Sequence, residues 1–231
     1  MSSIVAFVPM RSGSKGIPNK NIKEICGKPL FYWGLSALEK SAVDKIVVAT
    51  DSKEYKELIS NYAFKKVSFY NRNYDNAQDD ATTESVLLEY FGRGFDDDKD
   101  DFILYQITNP LINYKDVNGL INCYKKNGYN SMLTVADLEG RFLWSEESYQ
   151  NTAYSVNYDY RQRPLRQWGS YERMYMENGM MYINSVINLL KCKNRLTEPI
   201  GLYIMSSYTL HEIDTIEDLY IIEKIMEYIN G

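Results

Sequence analysis

Short apolar runs rich in β-branched residues alternate with longer amphipathic segments along the first half of the chain. The runs predict strands at residues 4–8, 45–50, 65–70, 101–107 and 131–136. The segments between them predict helices at residues 29–41, 53–62, 81–92 and 115–126. This alternation is typical of successive βαβ units that feed a mainly parallel sheet. Because right-handed crossovers bring the carboxyl ends of parallel strands to one edge, we expect a ligand site at that edge.

The pattern changes between residues 139 and 175, where tyrosine, tryptophan and arginine are dense and no helical period persists. We interpret this segment as an inserted β-hairpin or extended flap within a single domain that spans residues 1–231. Protein interfaces are enriched in aromatic residues and arginine, so a dimer contact is one expectation. A tyrosine-rich sheet edge that packs on its own domain is the alternative. After the insertion the chain predicts another strand at residues 200–205 and a last helix at residues 216–229.

The charge and the cysteine content exclude several classes of protein. A formal net charge of −5 argues against broad binding of nucleic acid, which usually needs a basic face. The sequence has neither a signal peptide nor an apolar run of about 18 residues, so we expect a cytoplasmic protein with no membrane partner. The cysteines, Cys26, Cys123 and Cys192, lack the spacing of a disulfide framework or a zinc site. A Ser-His-Asp triad would have to use His211, the only histidine.

The stretch VPMRSGSKGIPNKN, residues 8–21, follows the first predicted strand and has the composition of an anion-binding loop. Small residues let backbone N–H groups approach an anion, while Arg11, Lys15 and Lys20 can neutralise several phosphate charges. The loop fits neither the GxxxxGK[ST] pattern nor the GxGxxG pattern. It therefore predicts a triphosphate site of another kind, with a basic surface turn as the alternative.

Carboxylates follow two other predicted strands. Asp51 closes the strand at 45–50, and it can either cap the next helix, the role that we expect, or face the ligand crevice; Ser52 has the same two options. Glu212 and Asp214 lie two residues apart, so in an extended segment both can face one Mg²⁺ ion. Asp214 also predicts an N-cap for the last helix, with Glu217 at the third helical position.

Further polar groups occur in QITNP, residues 106–110, in RQRPLRQ, residues 161–167, and in ENGMMYIN, residues 177–184. Glutamine, asparagine and arginine at strand ends can fix hydroxyl groups and a carboxylate. Ordinary turns at Asn109-Pro110 and Asn178-Gly179 are the alternative.

The chain contains, in order, the stretches RSGSKGIPNKNI, GKPL, VVATDS, QITNPL, ENGMMYIN, LYIM and EIDTIEDL. Together these stretches resemble the acylneuraminate cytidylyltransferase family, the CMP-sialic acid synthetases. The resemblance spans nearly the whole chain and includes the CMP-pseudaminate and CMP-legionaminate relatives. It implies an α/β fold with three α/β/α layers and a Rossmann-like, mainly parallel sheet of the nucleotide-diphospho-sugar transferase type. It also implies a small β-rich dimerisation insertion and a homodimer.

The activity implied by the resemblance is the reaction of CTP with N-acylneuraminate, a nine-carbon 2-keto-3-deoxy sugar acid, to give CMP-N-acylneuraminate and diphosphate with Mg²⁺. The same reaction on pseudaminic, legionaminic or 3-deoxy-octulosonic acid is an alternative. A nucleotidyltransferase for sugar 1-phosphates and a non-catalytic nucleotide-binding module are further alternatives.

The resemblance also assigns roles to individual residues. The expected catalytic residues are Arg11, Lys15, Lys20 and Asp214. The expected nucleotide contacts are Arg11, Ser14, Lys15, Lys20, Asn21, Arg72, Ala81 and Thr83. The expected substrate contacts are Thr83, Gln106, Arg166, Gln167, Asn178 and Tyr182, and the expected metal ligands are Asp214 and Glu212.

This chain departs from the family pattern near the sugar. Glu212 stands where the family has the first aspartate of its metal-binding DxD, and Trp144 stands where better-known sialate enzymes carry a lysine. Asn109 stands at the serine of the usual TSP. The resemblance therefore predicts the type of reaction more strongly than the identity of the sugar.

Overall fold

The computed structural model describes residues 2–14, 16–78, 80–147, 152–165 and 173–230, and a seven-stranded sheet forms its centre. The strands are β1 (Ile4–Pro9), β2 (Glu24–Ile25), β3 (Lys28–Pro29), β4 (Lys45–Thr50), β5 (Val67–Asn71), β6 (Asp101–Tyr105), β7 (Ser131–Asp137), β8 (Trp144–Glu147), β9 (Thr152–Ser155), β10 (Tyr175–Ser185) and β11 (Ile200–Met205). The order in the large sheet is β11-β7-β10-β6-β1-β4-β5. Only β10 runs antiparallel to its neighbours in that sheet, β6 and β7. The predicted, mainly parallel sheet is confirmed.

Helices cover both faces of this sheet. They are α1 (Leu30–Lys40), α2 (Lys53–Ser60), α3 (Thr83–Phe91), α4 (Tyr114–Asn127), α5 (Val186–Cys192) and α6 (Ile216–Asn230). Each strand and helix expected from the sequence is present, with its ends moved by a few residues. Among the described residues, no helix has the length and apolarity needed to cross a membrane.

Side chains of β1 show how the layers arise. Successive residues of a strand point to opposite faces, so Ala6 and Val8 pack in one apolar cluster with α1, α2, α4 and α6. Val5 and Phe7 pack in the other cluster, with α3 and α5. Because β1 is central, both sets are fully buried. The three-layer α/β/α arrangement expected from the sequence is therefore confirmed.

The residues that cap two helices differ from the prediction by one position, although both helices begin where the sequence predicts. Ser52 caps α2, because its hydroxyl accepts a hydrogen bond from the backbone N–H of Tyr55 at 3.2 Å. The expectation that Asp51 caps this helix is therefore wrong. A serine hydroxyl is sufficient to accept from an N–H of the first helical turn. The Asp51 carboxylate is therefore available for another contact.

The capping box of α6 also lies one residue later than expected. The backbone N–H of Asp218 donates to the Thr215 hydroxyl at 3.2 Å, and the backbone N–H of Thr215 donates to the Asp218 carboxylate at 2.8 Å. These reciprocal bonds define a capping box. Asp214 and Glu217 were predicted for these two positions, and that prediction is wrong. Asp214 therefore keeps its side chain for the cleft described below.

The insertion is β-rich in its described part, as predicted. Strands β8 and β9 form an antiparallel hairpin, with Trp144 opposite Ser155. Behind it the rings of Phe142 and Tyr158 lie 4.2 Å apart, and the guanidinium of Arg163 lies 4.4 Å from the Phe142 ring. The hairpin is therefore braced by its own aromatic contacts.

Candidate active site

A cleft of about 440 Å³ opens at the edge where β1 and β6 end. Many of the residues that the sequence predicts for nucleotide, sugar or metal binding line it together: Arg11, Ser14, Lys20, Asn21, Arg72, Ala81, Thr83, Gln106 and Asp214. They come from segments spread over most of the chain. The parallel strands therefore bring these groups to one edge, as expected for an open α/β sheet.

The loop after β1 is held by its own polar groups. The side-chain amide of Asn21, which is buried, donates to the backbone oxygen of Arg11 at 3.0 Å. The Arg11 guanidinium donates to the backbone oxygen of Gly13 at 3.1 Å. Gly13 has a φ of +72°, a conformation that glycine adopts at little cost. These contacts fix the path of the loop from Arg11 to Gly13.

This loop touches the segment that precedes α6. The ammonium of Lys20 donates to the backbone oxygen of Ile213 at 2.6 Å and to the Asp214 carboxylate at 3.1 Å. Gly16 packs so closely that a Cβ at its position would overlap the backbone oxygen of Asp214. One of the expected phosphate-binding cations, Lys20, and one of the expected metal ligands, Asp214, are therefore in direct contact.

Glu212 lies on the same segment and faces the end of β6. Its carboxylate accepts a hydrogen bond from the Thr108 hydroxyl at 3.4 Å. Loss of hydration raises the pKa of Glu212, and the negative charge of Asp214 raises it further. A carboxylate such as Glu212, whose charge is disfavoured by burial and by a second carboxylate, is suited to a divalent cation that offsets this charge.

The donor set fits Mg²⁺ in particular. Among the described residues, no group of three or more His, Cys, Asp or Glu side chains is arranged to hold a metal ion. Mg²⁺ is usually held by one or two carboxylates, with substrate phosphates and water as its other ligands. Glu212 and Asp214, beside the cationic loop after β1, match that requirement.

The start of α3 forms another wall of the cleft. Thr82 caps the helix by accepting from the backbone N–H of Ser85 at 3.1 Å, and Thr83 lines the cleft. The next residue, Glu84, accepts a hydrogen bond from the Arg195 guanidinium at 2.9 Å. This contact lowers the pKa of Glu84 and ties the helix start to the segment after α5.

Arg72 reaches the cleft from the end of β5. Its guanidinium donates to the backbone oxygen of Asn76, and partial burial lowers its pKa, while the nearby Asp51 carboxylate opposes that change. Asp51 itself accepts hydrogen bonds from the Ser12 backbone N–H at 2.8 Å and from the Ser12 hydroxyl at 2.5 Å. Sequence reasoning did not assign this role to Asp51, although its position after β4 was a signal for a crevice-facing residue.

Asn178 and Tyr182 do not line the cleft. Asn178 is buried, and its amide is satisfied by the hydroxyls of Thr209, at 2.9 Å, and Thr134, at 2.7 Å. The hydroxyl of Tyr182, also buried, donates to Glu177 at 2.9 Å. These contacts stabilise an irregular register between β10 and β7. The substrate contacts assigned to both residues stay predictions.

The irregular register places a glycine beside the expected metal ligand. Gly179 has a φ of +64°, and a Cβ there would lie 3.1 Å from a carboxylate oxygen of Glu212 and 3.6 Å from the side-chain oxygen of Gln106. The glycine therefore leaves room for both side chains at the edge of the sheet. Lys15, Arg166 and Gln167 fall outside the described residues, so their assigned roles also stay predictions.

Residues 5–225 match the model of a protein family described as cytidylyltransferase. This chain belongs to the cytidylyltransferase family. The matched range includes the loop after β1, the start of α3 and the segment with Glu212 and Asp214. The cleft is therefore built within the part of the chain that defines the family.

Curated relatives are similar to this cytidylyltransferase over most of its length. An N-acylneuraminate cytidylyltransferase of Streptococcus agalactiae serotype III is 26% identical over 93% of this chain, and this chain spans about half of it, 51% of its length. A CMP-N,N'-diacetyllegionaminic acid synthase of Legionella pneumophila is 26% identical over 97% of this chain and 96% of its own length. An N-acylneuraminate cytidylyltransferase B of Danio rerio is 30% identical over 78% of this chain and 41% of its own length.

Solved structures show the same fold. A CMP:2-keto-3-deoxy-manno-octonic acid synthetase complexed with CTP matches with a TM-score of 0.69 and 17% identity, covering 98% of this chain and 99% of that one. A 4-diphosphocytidyl-2C-methyl-D-erythritol synthase matches with a TM-score of 0.66 and 16% identity, covering 98% and 100%. At these identities the likeness concerns the fold alone.

Replacing Gly16 with alanine is expected to weaken CTP binding about tenfold, because the added methyl group would push the loop away from the Asp214 backbone. Isothermal titration calorimetry with CTP and Mg²⁺ measures the effect. Gly92→Ala is a matched control, because a Cβ there would also overlap a backbone carbonyl oxygen, that of Leu88. Gly92 follows Phe91 at the C-terminal end of α3, whereas the cleft is lined by the start of that helix. Equal CTP affinity in Gly16→Ala and the control would show that the loop does not need this contact.

Proposed function

We propose that this cytidylyltransferase transfers CMP from CTP to N-acylneuraminate and releases diphosphate. The observation that carries the proposal is the contact of a cationic loop with Asp214, beside Glu212, at one polar cleft. The sugar's anomeric hydroxyl attacks the α-phosphorus of CTP, the bond from that phosphorus to the bridging oxygen breaks, and diphosphate leaves. Such a reaction needs charge neutralisation and in-line positioning, and no covalent nucleophile on the protein.

The loop cations suit the leaving group. Arg11 and Lys20 line the cleft, and Lys15 belongs to the same loop. Negative charge grows on the β- and γ-phosphates as diphosphate departs, so cations fixed beside them stabilise the transition state more than the ground state. Ser14 and Asn21 complete this side of the cleft.

Asp214 and Glu212 would hold Mg²⁺ in this proposal. When bound, the ion supplies positive charge that offsets the charge of the phosphates. The ammonium of Lys20 lies 3.1 Å from the Asp214 carboxylate and offsets the charge of that expected metal ligand. The approach of a triphosphate would give Lys20 a competing anionic partner.

The opposite wall has the polar groups that a base and a sugar need. Thr83 and Gln106 line the cleft across from the loop, and Ala81 leaves space beside them. Hydroxyl and amide side chains can both donate and accept, which suits a sugar acid with several hydroxyls. We assign these two residues to substrate, together with Arg166 and Gln167, which follow the β8–β9 hairpin in the sequence.

An N,N'-diacetyllegionaminic acid is the second candidate acceptor. The Legionella pneumophila relative matches this chain along almost the full length of both, whereas the Streptococcus agalactiae relative is about twice as long. The departures at Trp144 and Glu212 also fall on the sugar side. Both candidates are nine-carbon sugar acids, so the two proposals share one reaction.

Purified protein is expected to release diphosphate from CTP and Mg²⁺ only when a suitable sugar acid is present. A panel of N-acetylneuraminate, N,N'-diacetyllegionaminate, pseudaminate and 3-deoxy-octulosonate, read by a coupled diphosphate assay, identifies the acceptor. The highest kcat/KM is expected with one of the first two acids. Release with a sugar 1-phosphate alone, or with no member of the panel, would refute the proposal.

Asp214→Asn is expected to lower kcat/KM by about two to three orders of magnitude, the usual effect of removing one group that stabilises transition-state charge. Steady-state kinetics across a Mg²⁺ titration measure it, and the half-saturating Mg²⁺ concentration should rise as well. Glu217→Gln removes the same charge nearby from an exposed position at the start of α6 and should change neither value. Unchanged Mg²⁺ dependence in Asp214→Asn would contradict the metal assignment.

We also propose that the insertion contacts a second copy of the chain and helps to complete that copy's sugar pocket. The insertion exposes large aromatic side chains, with Trp144 52%, Tyr154 50% and Tyr160 51% accessible. Such rings and arginines supply much of the binding energy of protein interfaces. Arg166, which we assign to sugar binding, belongs to the same segment of the sequence.

Trp144→Glu is expected to convert a dimer into a monomer and to raise the KM for the sugar acid more than the KM for CTP. Light scattering and initial-rate kinetics test both effects. Tyr228→Glu is the control, because Tyr228 is an exposed aromatic residue on α6, far along the sequence from the insertion. A fully active wild-type monomer, or dissociation by Tyr228→Glu instead, would contradict this assignment.

A further inference from the structure

Two aspartates at opposite ends of β4 bind the two ends of β1. The carboxylate of Asp44, just before β4, accepts from the backbone N–H of Ile4 at 2.7 Å, where β1 begins. The carboxylate of Asp51, just after β4, accepts from the backbone N–H of Ser12 at 2.8 Å, beyond the end of β1. The parallel pairing of β1 with β4 ends at Pro9, and the backbone N–H of Met10 donates to Ala49 at 2.8 Å. Asp51 thus extends the attachment of β1 into the loop.

Asp51 binds Ser12 with both of its carboxylate oxygens. One accepts from the backbone N–H and the other from the side-chain hydroxyl, at 2.8 and 2.5 Å. A two-point contact fixes the backbone orientation of Ser12 as well as its side chain. Ser12 stands between Arg11, which lines the cleft, and Gly13, whose φ of +72° turns the chain. Holding Ser12 therefore fixes the direction in which the loop leaves β1.

The charge of Asp51 also suits this position. Although partial burial opposes it, the hydrogen bonds from Ser12 hold the pKa of the Asp51 carboxyl below its ordinary value. Burial lowers the pKa of Arg72, the charge of Asp51 opposes that effect, and the charge of Arg11 adds to it. The charge of Asp51 therefore offsets part of the effect of burial on Arg72, while its oxygens are directed at Ser12.

We propose that Asp51 is a positioning residue that holds the first turn of the triphosphate loop, through Ser12, in the conformation that binds CTP. The inference rests on the proposed function, because it concerns the CTP site of that reaction. Asp51 acts through Ser12 and does not touch the substrate. A loop fixed in advance loses less conformational entropy on binding, so the effect appears in CTP affinity and not in the affinity for the sugar acid.

Calorimetric titration with CTP and Mg²⁺ tests the inference on Asp51→Ala, Asp51→Asn and Ser12→Ala. Asp51→Ala removes both bonds and should weaken CTP binding about tenfold. Ser12→Ala removes only the hydroxyl bond and should weaken it about threefold. Asp51→Asn keeps the backbone bond and can donate to the Ser12 hydroxyl, so its affinity should stay within about twofold of wild type. The KM for the sugar acid should be unchanged in all three variants.

Asp44→Ala is the matched control. It removes a carboxylate that binds a backbone N–H of the same strand, β1, at the edge away from the cleft. It should lower the thermal midpoint of unfolding and leave CTP affinity unchanged. If Asp51→Ala does not fold, Ser12→Ala and Asp51→Asn still carry the test.

The outcomes separate this inference from the proposed function. Wild-type CTP affinity in Asp51→Ala or in Ser12→Ala would overturn the inference alone. The inference would also be overturned if Asp51→Asn bound CTP tenfold more weakly while Ser12→Ala bound it normally. The charge of Asp51, and not its two-point contact with Ser12, would then determine CTP affinity. A wild-type protein that binds no CTP would refute the proposed function and, with it, this inference.

Discussion

The cleft depends on one contact between segments that are far apart in the sequence. Lys20 binds the Ile213 carbonyl and the Asp214 carboxylate, although Lys20 and Asp214 are 194 residues apart in sequence. Separately, a loop of cations and a pair of carboxylates would each be destabilised by repulsion between like charges. Together they compensate each other, and the absence of a side chain at Gly16 lets the two backbones meet. The capping box of α6 fixes one side of this contact.

The position of Gly179 beside Glu212 depends on buried polar groups that follow β6 and lie within β10. The Asn109 amide donates to the backbone oxygens of Asn178 and Thr209, at 2.9 and 2.7 Å, and Asn178 binds the hydroxyls of Thr134 and Thr209. Hydrogen bonds in such a water-poor environment are strong, and an unpaired partner would be costly. This network fixes the irregular part of β10 and therefore the position of Gly179 beside Glu212. Asn178, which the resemblance assigns to the substrate, thus has a structural role in this protein.

Residues that bind a ligand and residues that orient them are separable at this site. Arg11 and Lys20 line the cleft, whereas Asp51 binds the loop that carries them. The start of α3 shows the same division, with Thr83 at the cleft and Glu84 bound to Arg195 behind it. Such support keeps charged side chains in place before a ligand arrives, which is the condition for electrostatic stabilisation of a transition state.

By itself, the sequence determined the order of strands and helices, the edge of the sheet that holds the site and the loop with Arg11 and Lys20. These features follow from local patterns, because burial on one or two faces imposes a period on the apolar residues. The tertiary structure alone decided that Asp51 binds Ser12 and that Lys20 meets Asp214. It also decided that Thr215, not Asp214, caps the last helix. A carboxylate has several possible donors nearby, and only the packing of distant segments selects which of them lies within hydrogen-bond distance.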